Sequence, residues 1–250
     1  MLRHLIPARL LSAGLLALAT LFTAQSASAQ LLRSSDKYAN VSTNGFTIYN
    51  NVWGSNAGPQ ELWVYAYNNW GVKAYHTGGG IKSYPNVSKY IGKRLSSITK
   101  LDGNFTAVTP SSGAWAVTYD IWNSSKSEEV MLWFNYTGTS TGGGNVKPIS
   151  SSWDASGNAR PVATNVSVGG STWNVFRGKN GSINVTSFLR TSKTNSAYVD
   201  TRAILNWIKN KGWFGDITVG DVQHGFEITS CGSSSTSRAE FKFTGYNLWQ

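Results

Sequence analysis

From Phe46 onward the chain alternates between apolar and polar positions with a period of two. FTIYNNVW, ELWVYAYN, AVTYDIW, EVMLWFNY, STWNVFRG, INVTSFLR, ITVGDVQHGFEI and AEFKFTGYNLW all carry β-branched and aromatic residues in that rhythm. GGG, SSG, TSTGGGN and SGNARP separate them and read as turns or loops. So many short strands predict an all-β sandwich or barrel. One segment departs from the rhythm. YVDTRAILNWIKNKG, Tyr198 to Gly212, puts Ala203, Ile204, Trp207 and Ile208 on one helical face. Asp200 or Thr201 can cap its start and Gly212 can end it. A helix this short is marginal alone, so it is expected to pack on the outer side of a sheet.

Residues 1–29 precede this pattern and differ from it. Arg3, His4 and Arg9 are followed by the apolar run LSAGLLALATLFTA and the small-residue stretch QSASAQ. This is the layout of a secretory signal peptide cleaved after Ala29. The run is short for a membrane anchor, the competing reading. The remainder, 30–250, shows no linker or repeat and is expected to be one domain. A secreted, monomeric protein, extracellular or, in a two-membrane bacterium, periplasmic, with no membrane association after cleavage is the expectation.

Composition sharpens this picture. The chain has 22 basic and 12 acidic residues, a net charge of +10. Loss of Arg3 and Arg9 with the leader leaves 20 basic residues against 12, about +8. The basic residues are scattered, and IGKRL is the densest patch, so no nucleic-acid partner is expected. Eleven Trp and eleven Tyr are the more telling excess. In a secreted polar chain they suggest stacking platforms for sugar rings as well as core. A single Cys231 cannot form an internal disulfide, and no Cys/His cluster suggests a metal. Neither metal nor cofactor is expected.

Strand parity isolates candidate chemistry. In EVMLWF, Val130, Leu132 and Phe134 share one face; Glu129, Met131 and Trp133 share the other. If the first face is core, Glu129 lies in a groove, while Glu128 has core parity and a solvated place at the strand's start. In AVTYDIW, Val117, Tyr119 and Ile121 oppose Thr118, Asp120 and Trp122. In VQHGFEI, Val222, His224, Phe226 and Ile228 oppose Gln223, Gly225 and Glu227. His224 therefore reads as structural, and Gly225 as a gap beside Glu227 that leaves room for a bulky group. Asp120, Glu129 and Glu227 are thus carboxylates among apolar neighbours. Parity alone leaves open whether they converge or are three unrelated rim residues. Two such groups flanking a glycosidic bond can act as nucleophile and general acid/base.

Several segments together resemble glycoside hydrolase family 12, in order and across about Phe46 to Trp249. They are NNVWG (Asn50–Gly54), IKSYPN (Ile81–Asn86), AVTYDIW, the Glu-x-Met-x-Trp of EVMLW and the Gln-x-Gly-x-Glu of QHGFE. The resemblance implies a β-jelly-roll sandwich of two antiparallel sheets, with a concave cleft and one helix on the outer sheet. It implies Glu129 as nucleophile, Glu227 as general acid/base and Asp120 as the group orienting the nucleophile. Met131 would lie under the sugar at the cleavage point and Trp53 would stack on a sugar ring. Trp133, Gln223 and Pro148 would line the cleft, and parity adds Trp122.

The implied activity is retaining, endo-acting hydrolysis of a β-1,4-glucan such as cellulose, mixed-linkage glucan or xyloglucan. The competing readings are a β-1,4-xylanase of similar shape and a non-catalytic carbohydrate-binding protein. Ile228 stands where relatives often have Pro, and TSCGSSS beyond it is small and polar. ELWVYAYNNWGV is unusually aromatic and could reshape the groove. The sequons NVS, NFT, NSS and NYT matter only in a host that glycosylates.

Overall fold

The computed structural model describes residues 29–137 and 146–250. All but the last residue of the expected leader, and the loop TSTGGGN, lie outside the described residues. Within them the strands are β1 (Leu32–Ser34), β2 (Asn40–Thr43), β3 (Phe46–Tyr49), β4 (Gln60–Ala66), β5 (Asn69–Ala74), β6 (Asn86–Arg94), β7 (Asp102–Val108) and β8 (Ala114–Asn123). They continue as β9 (Glu128–Tyr136), β10 (Ala163–Val168), β11 (Ser171–Asn180), β12 (Ile183–Arg190), β13 (Ser196–Asp200), β14 (Thr218–Ser230) and β15 (Ala239–Trp249). One α-helix, α1 (Thr201–Asn210), separates β13 from β14.

The strands form two sheets. Six make the order β1-β4-β5-β15-β7-β13, and nine make β10-β11-β12-β9-β8-β14-β6-β3-β2. Pairing is antiparallel except where β12 lies parallel to β9. A parallel neighbour needs a crossover, and the long excursion through β10 and β11 supplies it. The alternation that predicts strands also sorts side chains between the two sides. Val117, Tyr119, Ile121, Val130, Leu132, Phe134, Val222, Phe226 and Ile228 enter a main core shared with Trp70, Phe241 and Phe243 of the six-stranded sheet. Each large side chain buried there contributes roughly 1.5–3 kcal/mol.

His224 is part of that core. It is fully buried and stacked on Tyr119 at a centroid distance of 3.8 Å. Burial pushes its imidazole well below the usual histidine range, so it is neutral and acts as an aromatic filler. The helix packs equally against β7 of the six-stranded sheet and β10 of the nine-stranded sheet, and its Ile204, Leu205 and Ile208 enter the main core rather than covering the outer side of one sheet. Asp200 caps it, accepting a hydrogen bond from the Ala203 amide at 2.9 Å. Gly212, at φ +69°, ends it. Two details of the predicted helix change. Tyr198 belongs to β13, and the buried face is Ile204, Leu205 and Ile208, with Ala203 turned aside.

Gly225 also has a different explanation from the gap expected of it. β14 passes so close to β6 that a Cβ on Gly225 would lie 2.1 Å from the Pro85 carbonyl oxygen. The glycine admits the neighbouring backbone, not a ligand. Gly225→Ala is therefore expected to lower Tm by roughly 2–12 °C through overpacking, as thermal unfolding would show. ELWVYAYNNWGV forms β4 and β5 of the six-stranded sheet, so its outward aromatics do not shape a groove on the other sheet.

Candidate active site

The three carboxylates come from three adjacent strands, with β8 between β9 and β14. Register fixes their neighbours. Asp120 lies opposite Met131 on one side and Gln223 on the other; Trp122 lies opposite Glu129; Ala116 lies opposite Glu227. All project from the face of the nine-stranded sheet that points away from the main core. Asp120, Glu129 and Glu227 line one cavity of about 310 Å³. They are only 6, 7 and 8 % exposed, so each is largely desolvated.

Glu128 does not join them. It is half-buried, pairs in register with Asn184 of β12, and accepts a hydrogen bond from Asn184 Nδ2 at 2.8 Å. Of the two adjacent glutamates, only Glu129 faces the cavity.

Trp53, Trp122, Met131 and Gln223 line the same cavity. Trp53, 48 % exposed, stands at its rim on a loop tied to the chain near Lys82. The Lys82 carbonyl accepts hydrogen bonds from the Trp53 and Gly54 amides at 3.1 and 2.9 Å. Lys82 Nζ in turn donates to the Ser55 and Gly79 carbonyls at 2.7 and 2.9 Å. Asn51 takes φ +45° just before this loop and donates from Nδ2 to the Tyr84 carbonyl at 3.2 Å. The platform is thus held by polar contacts to a second segment.

Two expected cleft residues are placed elsewhere. Trp133 has the right parity but is 1 % exposed. It is sealed into a smaller cluster with Met131, Val146, Phe176 and Leu189, and offers no free face. Pro148 is buried, and its neighbour Ile149 reaches the cavity instead. Tyr84 is a lining residue that sequence reasoning did not single out, although IKSYPN contains it. Its hydroxyl donates to the Thr118 carbonyl at 3.1 Å from a buried position among the carboxylates.

The electrostatics separate the three acids. Burial raises Asp120 well above the usual carboxylate range, and the nearby Glu129 and Glu227 raise it further. A hydrogen bond from the Thr118 hydroxyl at 3.4 Å only partly offsets this. Burial pushes Glu129 up to about 7, against the opposing pull of the Lys126 ammonium. Burial and the Glu129 charge push Glu227 up to about 8. The order of the two values makes Glu129 the first of the pair to ionise and Glu227 the one that holds its proton to higher pH. One desolvated anion beside one desolvated acid is the pair that substitution at a sugar acetal requires.

Lys126 is well placed for its effect. It pairs with Asp221 and lies 5.1 Å from the centre of the Trp122 ring, which lies opposite Glu129. Lys126→Gln is expected to move the acidic limb of the kcat/KM–pH profile to higher pH and leave the alkaline limb in place. A profile that does not move would remove Lys126 from the account.

Comparison with known proteins places this arrangement. A family model described as glycosyl hydrolase family 12 matches residues 44–247. The xyloglucan-specific endo-β-1,4-glucanase A of Emericella nidulans is 32 % identical over 205 residues, covering 75 % of this chain and 80 % of that protein. A probable xyloglucan-specific endo-β-1,4-glucanase A of Neosartorya fischeri is 30 % identical over 230 residues, covering 85 % and 89 %. Among solved structures, the xyloglucanase domain of NopAA, a type three effector from Sinorhizobium fredii in complex with cellobiose, is 49 % identical. It superposes with a TM-score of 0.83 over 88 % of this chain and 98 % of that one.

Proposed function

This chain belongs to glycosyl hydrolase family 12, and on that premise we propose that it is a retaining endo-β-1,4-glucanase with xyloglucan as its preferred substrate. The carrying observation is the convergence of Asp120, Glu129 and Glu227 in one largely desolvated cavity with Trp53 at its rim. The names of the relatives support the choice of xyloglucan.

In this reading a glucan chain lies along the cleft with sugar faces on Trp53 and Trp122. Glu227 donates its proton to the departing glycosidic oxygen. Glu129 attacks the anomeric carbon, that C–O bond breaks, and a glycosyl ester forms on Glu129. Glu227, now ionised, takes a proton from water as its oxygen attacks the anomeric carbon. The ester bond to Glu129 breaks and the sugar leaves with its original configuration. Asp120, whose carboxyl is held above the usual range by burial and the two neighbouring glutamates, serves in this reading to orient Glu129. Met131 and Gln223 complete the walls. Secretion is part of the proposal and rests on the signal-peptide-like residues 1–29.

Initial rates on xyloglucan, mixed-linkage glucan, carboxymethyl cellulose and xylan test the substrate class. The expected order has xyloglucan first and xylan at background. Faster release of reducing ends from xylan would establish the xylanase reading. Binding without release from any polymer would establish a non-catalytic carbohydrate-binding protein.

A further inference from the structure

The six-stranded sheet has an outer face that the cleft chemistry does not use. On β4, Leu62 and Val64 fill the core while Glu61, Trp63 and Tyr65 alternate outward. Trp63 lies opposite Arg33 of β1 and Gly71 of β5, and Gly71 lies opposite Lys242 of β15. A Cβ on Gly71 would come within 2.4 Å of the Phe241 carbonyl oxygen and 2.7 Å of Trp63 Cζ2. The missing side chain therefore lets the half-buried indole lie across β5. Tyr65 continues the aromatic strip, its ring 5.8 Å from that of Trp63.

The charges around these rings are interleaved. Arg33 pairs with Glu61 at 2.8 Å and Lys242 with Glu240 at 3.0 Å. Lys73 lies between Glu61 and Glu240 in register. Together they border a groove of about 300 Å³, which continues past Arg33, Glu61 and Lys73 to Arg238.

We propose that this face is a second, non-catalytic binding platform for a neutral β-glucan chain. A flat indole meets the apolar face of a sugar ring. Alternating ammonium, guanidinium and carboxylate groups supply both donors and acceptors, as hydroxyls require. Because acids lie between the cations, the groove lacks the single-signed field that would select a polyanion. The face belongs to the opposite sheet from the cleft, so one polymer can engage both and hold the enzyme at high effective concentration. The identity of the sugar rests on the proposed glucanase function; the platform itself rests on the geometry.

The test uses the full chain carrying Glu129→Gln, run in native gels containing xyloglucan. Adding Trp63→Ala is expected to raise about tenfold the polymer concentration that halves mobility. Arg33→Ala, which removes an exposed side chain and leaves the core intact, is expected to act in the same direction. In the otherwise unmodified enzyme, Trp63→Ala should leave kcat/KM on cellotetraose unchanged. Undiminished retardation in both variants would overturn the proposal, as would an equal loss of kcat/KM on cellotetraose, which would mark a structural effect. Retardation by polygalacturonate but not by xyloglucan would also overturn it. Failure of the glucanase reading would be visible separately, as absence of hydrolysis by the unmodified enzyme.

Discussion

Glu129→Gln is expected to lower kcat/KM on xyloglucan by about four orders of magnitude or more, because no covalent intermediate can form without the carboxylate. Glu227→Gln is expected to lose roughly 10²–10⁴-fold on natural substrates, where the departing sugar needs a proton. Its loss should shrink sharply in the first step with a dinitrophenyl cellobioside, whose leaving group needs no acid. The alanine variants separate the roles further. Azide should rescue Glu227→Ala by attacking the glycosyl-enzyme, giving a β-glycosyl azide. In Glu129→Ala, azide enters the vacated nucleophile site and should give the α-anomer. If the two variants give the same anomer, or if either glutamine variant keeps near-normal activity, the assignment of roles is wrong.

The second large effect concerns stability. Glu227 is raised from the ordinary 4.5 to about 8 by burial and the Glu129 charge, and Glu129 to about 7 by burial. A carboxyl whose folded pKa is raised binds its proton more tightly in the folded state. Its contribution is intact below about pH 4.5, declines as pH rises, and has reached its full loss above about pH 8. For Glu227 alone the loss is on the order of 4–5 kcal/mol. Glu227→Gln removes the titrating group, so it should raise Tm by roughly 10 °C at pH 9 while changing it little at pH 4. The proposed general acid thus costs stability in mild alkali. An equal shift at both pH values would show that packing, not ionisation, governs the change.

Parity along three strands is what made this site readable from sequence. Alternation in AVTYDIW, EVMLWFNY and VQHGFEI separates core side chains from cavity side chains, and β8, β9 and β14 follow that division. It also separates Glu129 from Glu128. Parity names a face but not what covers it. Trp133 shares the face of Glu129, yet Val146 and the side chains of β11 and β12 bury it. Tyr84 lies outside any alternating run, so only the folded chain shows it among the carboxylates. NVSKYIGKR forms β6 without a clean apolar alternation, and DGNFTAV forms β7 with an alternation carried by small residues, Gly103 and Ala107, around Phe105. Their glycines answer to local geometry: Gly92 at φ +67°, and Gly103 where a Cβ would lie 2.3 Å from the Asn247 carbonyl oxygen. The sheet to which ELWVYAYNNWGV belongs depends on long-range pairing with β1 and β15, which local pattern does not encode.

The most direct measurement is covalent trapping. A 2-deoxy-2-fluoro cellobioside with a dinitrophenyl leaving group slows both steps through its fluorine but favours the first through its leaving group, so the glycosyl-enzyme accumulates. Intact mass should rise by one fluorocellobiosyl group, and fragmentation of the labelled peptide should place it on Glu129. A label on Glu128, Asp120 or Glu227 would contradict the account, as would prompt turnover with inversion and no label.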